Sequence, residues 1–234
     1  MAHDGEVATR LGLPGTPSFA ETIALATILE LVRATGARVH VCRLSSAGAV
    51  ELIRAARKEG LPVSCDVAVH HVHLCDMDLG YFDSNCRLDP PLRSQRDRDA
   101  LARALAEGVI DCLCSDHTPV DDDGKHMPFA EAEPGATGLE LLLPLALKWG
   151  EAAGLPLSKV LARITSDPAR ILGVASGRLA VGAPADLVLF DPKATVRVTP
   201  EMLKSQGKNT PFIGHELQGK VRTTIVAGAV VYEA

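Results

Sequence analysis

Residues able to do chemistry gather in three short clusters. The first is Val39-His40-Val41-Cys42-Arg43-Leu44-Ser45-Ser46. Strand alternation puts His40 and Cys42 on one face and Val41 and Arg43 on the other. A buried histidine with its hydrogen bonds met, beside an exposed arginine, is the plain structural reading. The second cluster is His70-His71-Val72-His73, three histidines in four residues. Imidazole binds zinc through one nitrogen while an acceptor orients the other, so these are candidate metal ligands, with loop histidines the alternative. The third is Cys114-Ser115-Asp116-His117-Thr118-Pro119. An aspartate ending an apolar strand is costly to bury unless it is paired, ligated or used as a base, though an Asx turn would also account for it. The Asp121 to Asp123 run reads as a solvated loop. There is no Gly-rich phosphate loop and no G-x-S-x-G elbow, and the lone C-x-C at Cys112 and Cys114 is too little for a structural zinc site.

The elements that must position these clusters alternate between strand and helix. Pro17 to Gly36 predicts a helix with a Ser18/Glu21 capping box and apolar positions at Ile23, Ala26, Ile28 and Leu29. A strand follows over Arg38 to Leu44, then a helix from Ser46 to Glu59 carrying Val50, Ile53 and Ala56 inward. Leu61 to Val67 is a short apolar strand. Ser94 to Glu107 is a helix with Leu101 and Leu105 inward, followed by a strand from Val109 to Cys114. Thr137 and Glu140 form a second capping box before a Leu-rich helix reaching Ala152. The alternation predicts an α/β fold with a parallel sheet. Cys75 to Arg93 reads as a long loop with one short strand near Ser84 to Leu88. From Ala175 the texture changes to turns and short β-branched runs (Ala185 to Phe190, Val196 to Val198, Val221 to Tyr232), a small β-module. The expected division is 1–174 and 175–234.

Composition narrows the class. Of 234 residues 47% are hydrophobic and 23% charged, enough for a sizeable core, and with aromatics at 3% that core must be aliphatic. A net charge of -5 and the absence of a basic run argue against nucleic acid. No apolar stretch is long enough to span a bilayer, and no signal-peptide pattern opens the chain. Six scattered cysteines then read as reduced thiols in a cytoplasmic protein.

The motifs, taken in order, resemble the second half of the dihydroorotases of the amidohydrolase superfamily. They run from Leu11-Gly12-Leu13-Pro14-Gly15 with Glu21, through the His40 to Ser46 strand, Gly60-Leu61-Pro62-Val63, His70-His71 and Pro90-Pro91-Leu92-Arg93. Next come Ser115-Asp116-His117-Thr118-Pro119, Glu133 to Glu140, Asp167-Pro168-Ala169-Arg170 and Gly177-Arg178. Gly182-Ala183-Pro184-Ala185-Asp186 and a closing strand with Gly228 complete the series. Each match is weak alone; their order and spacing are specific. The resemblance implies the C-terminal half of a (β/α)8 barrel with part of a small β-sandwich module. It also implies a zinc-dependent cyclic-amide hydrolase interconverting dihydroorotate and N-carbamoyl-aspartate in pyrimidine synthesis. In such enzymes zinc lowers the pKa of a bound water and polarises the amide carbonyl. Asp116 matches the aspartate that binds metal and shuttles the proton. His70 matches a metal histidine, with His71 the register alternative and His40 a further candidate.

The departures from the family pattern matter as much. The fifth-strand metal histidine falls at Arg43, which cannot serve as an ordinary zinc ligand. At the substrate-binding positions, Val120 stands where a substrate-holding histidine is usual. Asp89 replaces the asparagine before Pro90. The family's H-x-H pair has no counterpart. Two family ligands, His70 and Asp116, fall short of the three a catalytic zinc usually has. The expectation is a chain with weak zinc binding, inactive alone and forming homo-oligomers. The alternative is a non-catalytic dihydroorotase-like protein that assembles with aspartate carbamoyltransferase.

Overall fold

A computed structural model describes residues 1–234. Strand β1 (Ala2–His3), helix α1 (Glu6–Leu11) and strand β2 (Gly15–Thr16) form a small parallel pair at the start of the chain. Helix α2 (Ser18–Thr35) leads to strand β3 (Val39–Val41), helix α3 (Ala47–Lys58) to strand β4 (Val63–Ala68), and helix α4 (Gln95–Glu107) to strand β5 (Cys112–Cys114). The last three strands form one parallel sheet in the order β3-β4-β5. Val63, Cys65, Val67 and Leu113 join the aliphatic core with Leu29, Ile53 and Leu101. The intervening residues bring His40 beside Ser64 and Asp66 beside Cys112, so the opposite face of the layer is polar.

Local chemistry explains the helix starts. Ser46 caps α3, its Oγ accepting from the Ala49 amide at 3.2 Å. Ser94 caps α4 by accepting from the Asp97 amide, and Asp97 in turn accepts from the Ala47 amide at 2.8 Å, tying the two helix starts together. After a one-turn helix α5 (Asp122–Lys125) come α6 (Leu142–Ala152), α7 (Leu157–Ala162) and α8 (Ser166–Leu172). The chain ends in an antiparallel sheet of β6 (Leu187–Arg197), β7 (Glu216–Val226) and β8 (Ala229–Glu233), in the order β6-β7-β8. Its last turn places Ala227 and Gly228 at φ of 50° and 83°, the paired positive values of a tight hairpin.

Several local expectations are corrected. Ser18 lies inside α2 behind the N-cap Pro17 and caps nothing; Glu21 instead accepts from the Ser45 amide at 2.6 Å. On α2 the buried stripe is Leu25, Leu29 and Val32, while Ile23 and Ile28 face outward. Thr137 donates to the Asn209 carbonyl and Glu140 accepts from the Lys204 and Ser205 amides, so neither opens α6. Glu21, Thr137 and Glu140 each found a partner distant in sequence, which local spacing does not reveal. Ser84 to Leu88 forms no strand: Ser84–Cys86 is a 3-10 turn capped by Asp83.

Candidate active site

Arg43 leaves the strand alternation. Its φ of 58° puts it in the left-handed region just past β3, and Asp116, just past β5, sits there too at 43°. Such backbone is costly for side chains larger than glycine and tends to mark sites where position matters. Arg43 Nη1 donates to the Asp89 carbonyl at 2.8 Å and to Asp116 Oδ1 at 3.4 Å. Burial raises the Asp116 pKa above the usual carboxylate range, and Arg43 opposes that rise without cancelling it. Pro90 and Arg43 share a small cleft of about 210 Å³ with Glu21, Ser45 and Arg93. Arg93 is itself buried and donates from Nε to Ser45 Oγ at 3.0 Å. Val120 is buried, its amide donating to Asn209 Oδ1 at 2.9 Å.

The histidine cluster lies in a 3-10 turn, Val69–Val72, directly after β4. His70 is fully buried, stacks on Phe212 at 5.8 Å between ring centroids, and has no hydrogen-bond partner at either ring nitrogen. A Cβ added at Gly138 would lie 2.2 Å from the Ser115 carbonyl oxygen and 3.1 Å from His70 Cε1. The turn therefore packs closely beside the strand end that carries Asp116. His71 Nε2 donates to the Pro90 carbonyl at 3.1 Å, which leaves Nδ1 buried without a partner. His73 Nε2 donates to the Leu145 carbonyl at 2.9 Å. Burial holds His70 at about 3, and His71 and His73 at about 4, so all three rings are neutral at physiological pH. His117 Nδ1 accepts from the Gly138 and Leu139 amides.

His40 turns away from the Arg43 and Asp116 pair. Its Nε2 meets Asp66 Oδ2 at 2.9 Å and its Nδ1 meets Ser64 Oγ at 2.8 Å. Asp66 Oδ1 also accepts from the Arg43 amide at 2.7 Å and from Cys114 Sγ at 3.3 Å. Sequence reasoning missed both Asp66 and Asn209. Asp66 had a usable signal, a carboxylate inside the apolar run Leu61 to Val67, which burial tolerates only with partners. Asn209, whose side chain holds the Thr118 and Gly135 carbonyls as well as the Val120 amide, had none.

The donor set around Asp116 does not fit a catalytic zinc. His40, Cys42 and Asp66 are the one group of three or more His, Cys, Asp or Glu side chains whose ligand atoms converge; it includes neither His70, His71 nor Asp116. Beside Asp116 stands a permanent cation that repels a metal ion and cannot ligate it.

The amidohydrolase family model matches residues 2–231. The chain belongs to the amidohydrolase family. It is 46% identical over 233 residues to a dihydroorotase-like protein of Pseudomonas aeruginosa, covering 100% of this chain and 55% of the relative. It is 40% identical over 232 residues to a dihydroorotase of Bacillus caldolyticus, covering 99% of this chain and 54% of that one. The chain thus spans about half the length of these curated relatives. Among solved structures, the L-hydantoinase (dihydropyrimidinase) of Arthrobacter aurescens superposes with a TM-score of 0.87 at 32% identity, over 93% of this chain and 50% of the other. The resemblance read from the motifs is borne out, as is an α/β amidohydrolase fold.

Proposed function

We propose that this chain is a dihydroorotase-like amidohydrolase of cytoplasmic pyrimidine synthesis that does not hydrolyse dihydroorotate by itself. In this reading residues 1–174 are the C-terminal half of a (β/α)8 barrel and residues 175–234 contribute strands to a small β-sandwich module. The family reaction is the interconversion of dihydroorotate and N-carbamoyl-aspartate. The observation that carries the reading is the Arg43–Asp116 pair. Where the resemblance places a metal ligand there is a guanidinium, and the carboxylate that would bind metal and shuttle the proton faces it instead. Zinc at His70 and Asp116 is weak or absent as a result. The identities, 46% to a dihydroorotase-like protein and 40% to a dihydroorotase, support the family part of this reading. The role left to such a chain is assembly with aspartate carbamoyltransferase, and with a second copy of itself.

A coupled assay at saturating dihydroorotate on the wild type, Arg43→His and Asp116→Ala tests this, with zinc measured after dialysis. No turnover is expected in any of the three. Arg43→His should retain somewhat more zinc than the wild type, and that extra zinc should vanish when Asp116→Ala is added. Turnover by the wild-type chain, abolished in Asp116→Ala, would instead make it a working hydrolase. Co-purification with aspartate carbamoyltransferase tests the assembly role, and its failure at micromolar concentrations of both proteins would remove that role.

A further inference from the structure

We propose that His40, Cys42 and Asp66 form a binding site for zinc or a similar borderline-soft divalent ion on the polar face of the parallel sheet. The site is independent of the function proposed for the Arg43 and Asp116 region, since it uses neither Asp116 nor His70. Two neighbouring strands build it. His40 lies on β3 with Cys42 two residues further along, and Asp66 lies on β4. The potential ligand atoms of His40, Cys42 and Asp66 all fall within 4.8 Å of one another. Ligands on a zinc ion sit at about 2.0 to 2.3 Å from the metal, so donors sharing one ion lie up to about 4.6 Å apart, close to this spacing, and Cys42 is exposed. Cys114 Sγ lies outside this group and donates to Asp66 Oδ1 at 3.3 Å.

The surroundings have the features of a metal site. Ser64 Oγ contacts His40 Nδ1 at 2.8 Å, which orients the ring and leaves Nε2 aimed at the cluster. The Arg43 amide donates to Asp66 Oδ1 at 2.7 Å, fixing the carboxylate so that Oδ2 faces His40. An open cleft of about 420 Å³, reaching Arg38 and Leu172, gives an ion access from solvent. One imidazole, one carboxylate and one sulfur favour zinc or cobalt over magnesium or calcium, which take oxygen ligands. The geometry therefore separates two functions that three residues of sequence bring close together: Arg43 faces Asp116, while His40 and Cys42 face Asp66.

Cobalt(II) is the probe, because thiolate ligation gives it an intense sulfur-to-metal charge-transfer band. The full chain, reduced and metal-free, should bind one equivalent with that band. Cys42→Ser should abolish the band, and Asp116→Ala should leave it unchanged. A second measurement needs no variant: zinc should slow alkylation of Cys42 in the wild type at least tenfold, read by peptide mass spectrometry, and magnesium should not. The proposal is overturned if no charge-transfer band forms, if the band survives in Cys42→Ser, or if zinc leaves Cys42 alkylation unchanged. Loss of the band in Asp116→Ala would overturn it too, by moving the metal to the family position.

Discussion

At the scale of single residues, burial has set the charge of the histidine cluster. The pKa values of His70, His71 and His73 lie far below that of an exposed imidazole. Between those values and about 6.5 the unfolded chain binds protons that the folded chain does not. Stability is therefore fully present above pH 6.5 and falls on acidification, by up to about 1.4 kcal/mol per pH unit for each histidine. Asp76 and Asp116, whose pKa values burial raises, act in the opposite sense. Thermal melts should show a clear loss of stability from pH 7 to pH 5. His73→Gln, which keeps a donor for the Leu145 carbonyl, should flatten that dependence; equal melting temperatures at the two pH values would contradict the assignment. Gly138 offers a second residue-scale test. Its missing Cβ leaves space filled by the Ser115 carbonyl and His70, so Gly138→Ala should cost about 1 to 3 kcal/mol in chemical denaturation.

Element boundaries depend on which serines cap and which do not. Ser46 and Ser94 each accept an amide hydrogen bond at a helix start, whereas Ser18 is a helical residue with no capping role. Replacing Ser46 or Ser94 by alanine should cost about 1 kcal/mol, and Ser94 somewhat more, because it also donates to Asp97 Oδ2 at 2.6 Å. Ser18→Ala should be close to neutral. Urea titrations of the three variants distinguish them, and an equal cost for Ser18→Ala would mean that Ser18 caps α2 after all. Glu21, in the first turn of α2, holds the next element in place: it clamps Ser45, which in turn receives Arg93. The strand-helix rhythm was legible because alternation and caps are local. The interrupted strand at Arg43 was not, because a positive φ at arginine has no compositional signature.

Over the whole molecule, the parallel layer has β3 and β5 as its edges, and unpaired strand edges invite pairing with another chain. The outward face of α2 adds Phe19, Ile23 and Leu31, each about 60% exposed. Apolar exposure on this scale along one helix favours association. Sedimentation of the isolated chain should show a dimer or larger species with a broad melt; a monodisperse monomer with a sharp, high transition would show that the layer is satisfied as it stands. No helix is long and apolar enough to cross a membrane.

The sequence by itself determined the α/β order, the helix faces of α3 and α4, and the family, since these rest on periodicity and on motifs a few residues long. It also put Arg43 where the resemblance leads one to expect a metal histidine. What it did not contain was the partner of each polar group. Asp66 collects His40, the Arg43 amide and Cys114 from the two strands that flank its own, and Arg43 reaches Asp116 across 73 residues of chain. Those choices follow from the need to pair polar groups as they leave water, and the nearest partner in a folded sheet is set by strand order and register. Only the tertiary structure decided them.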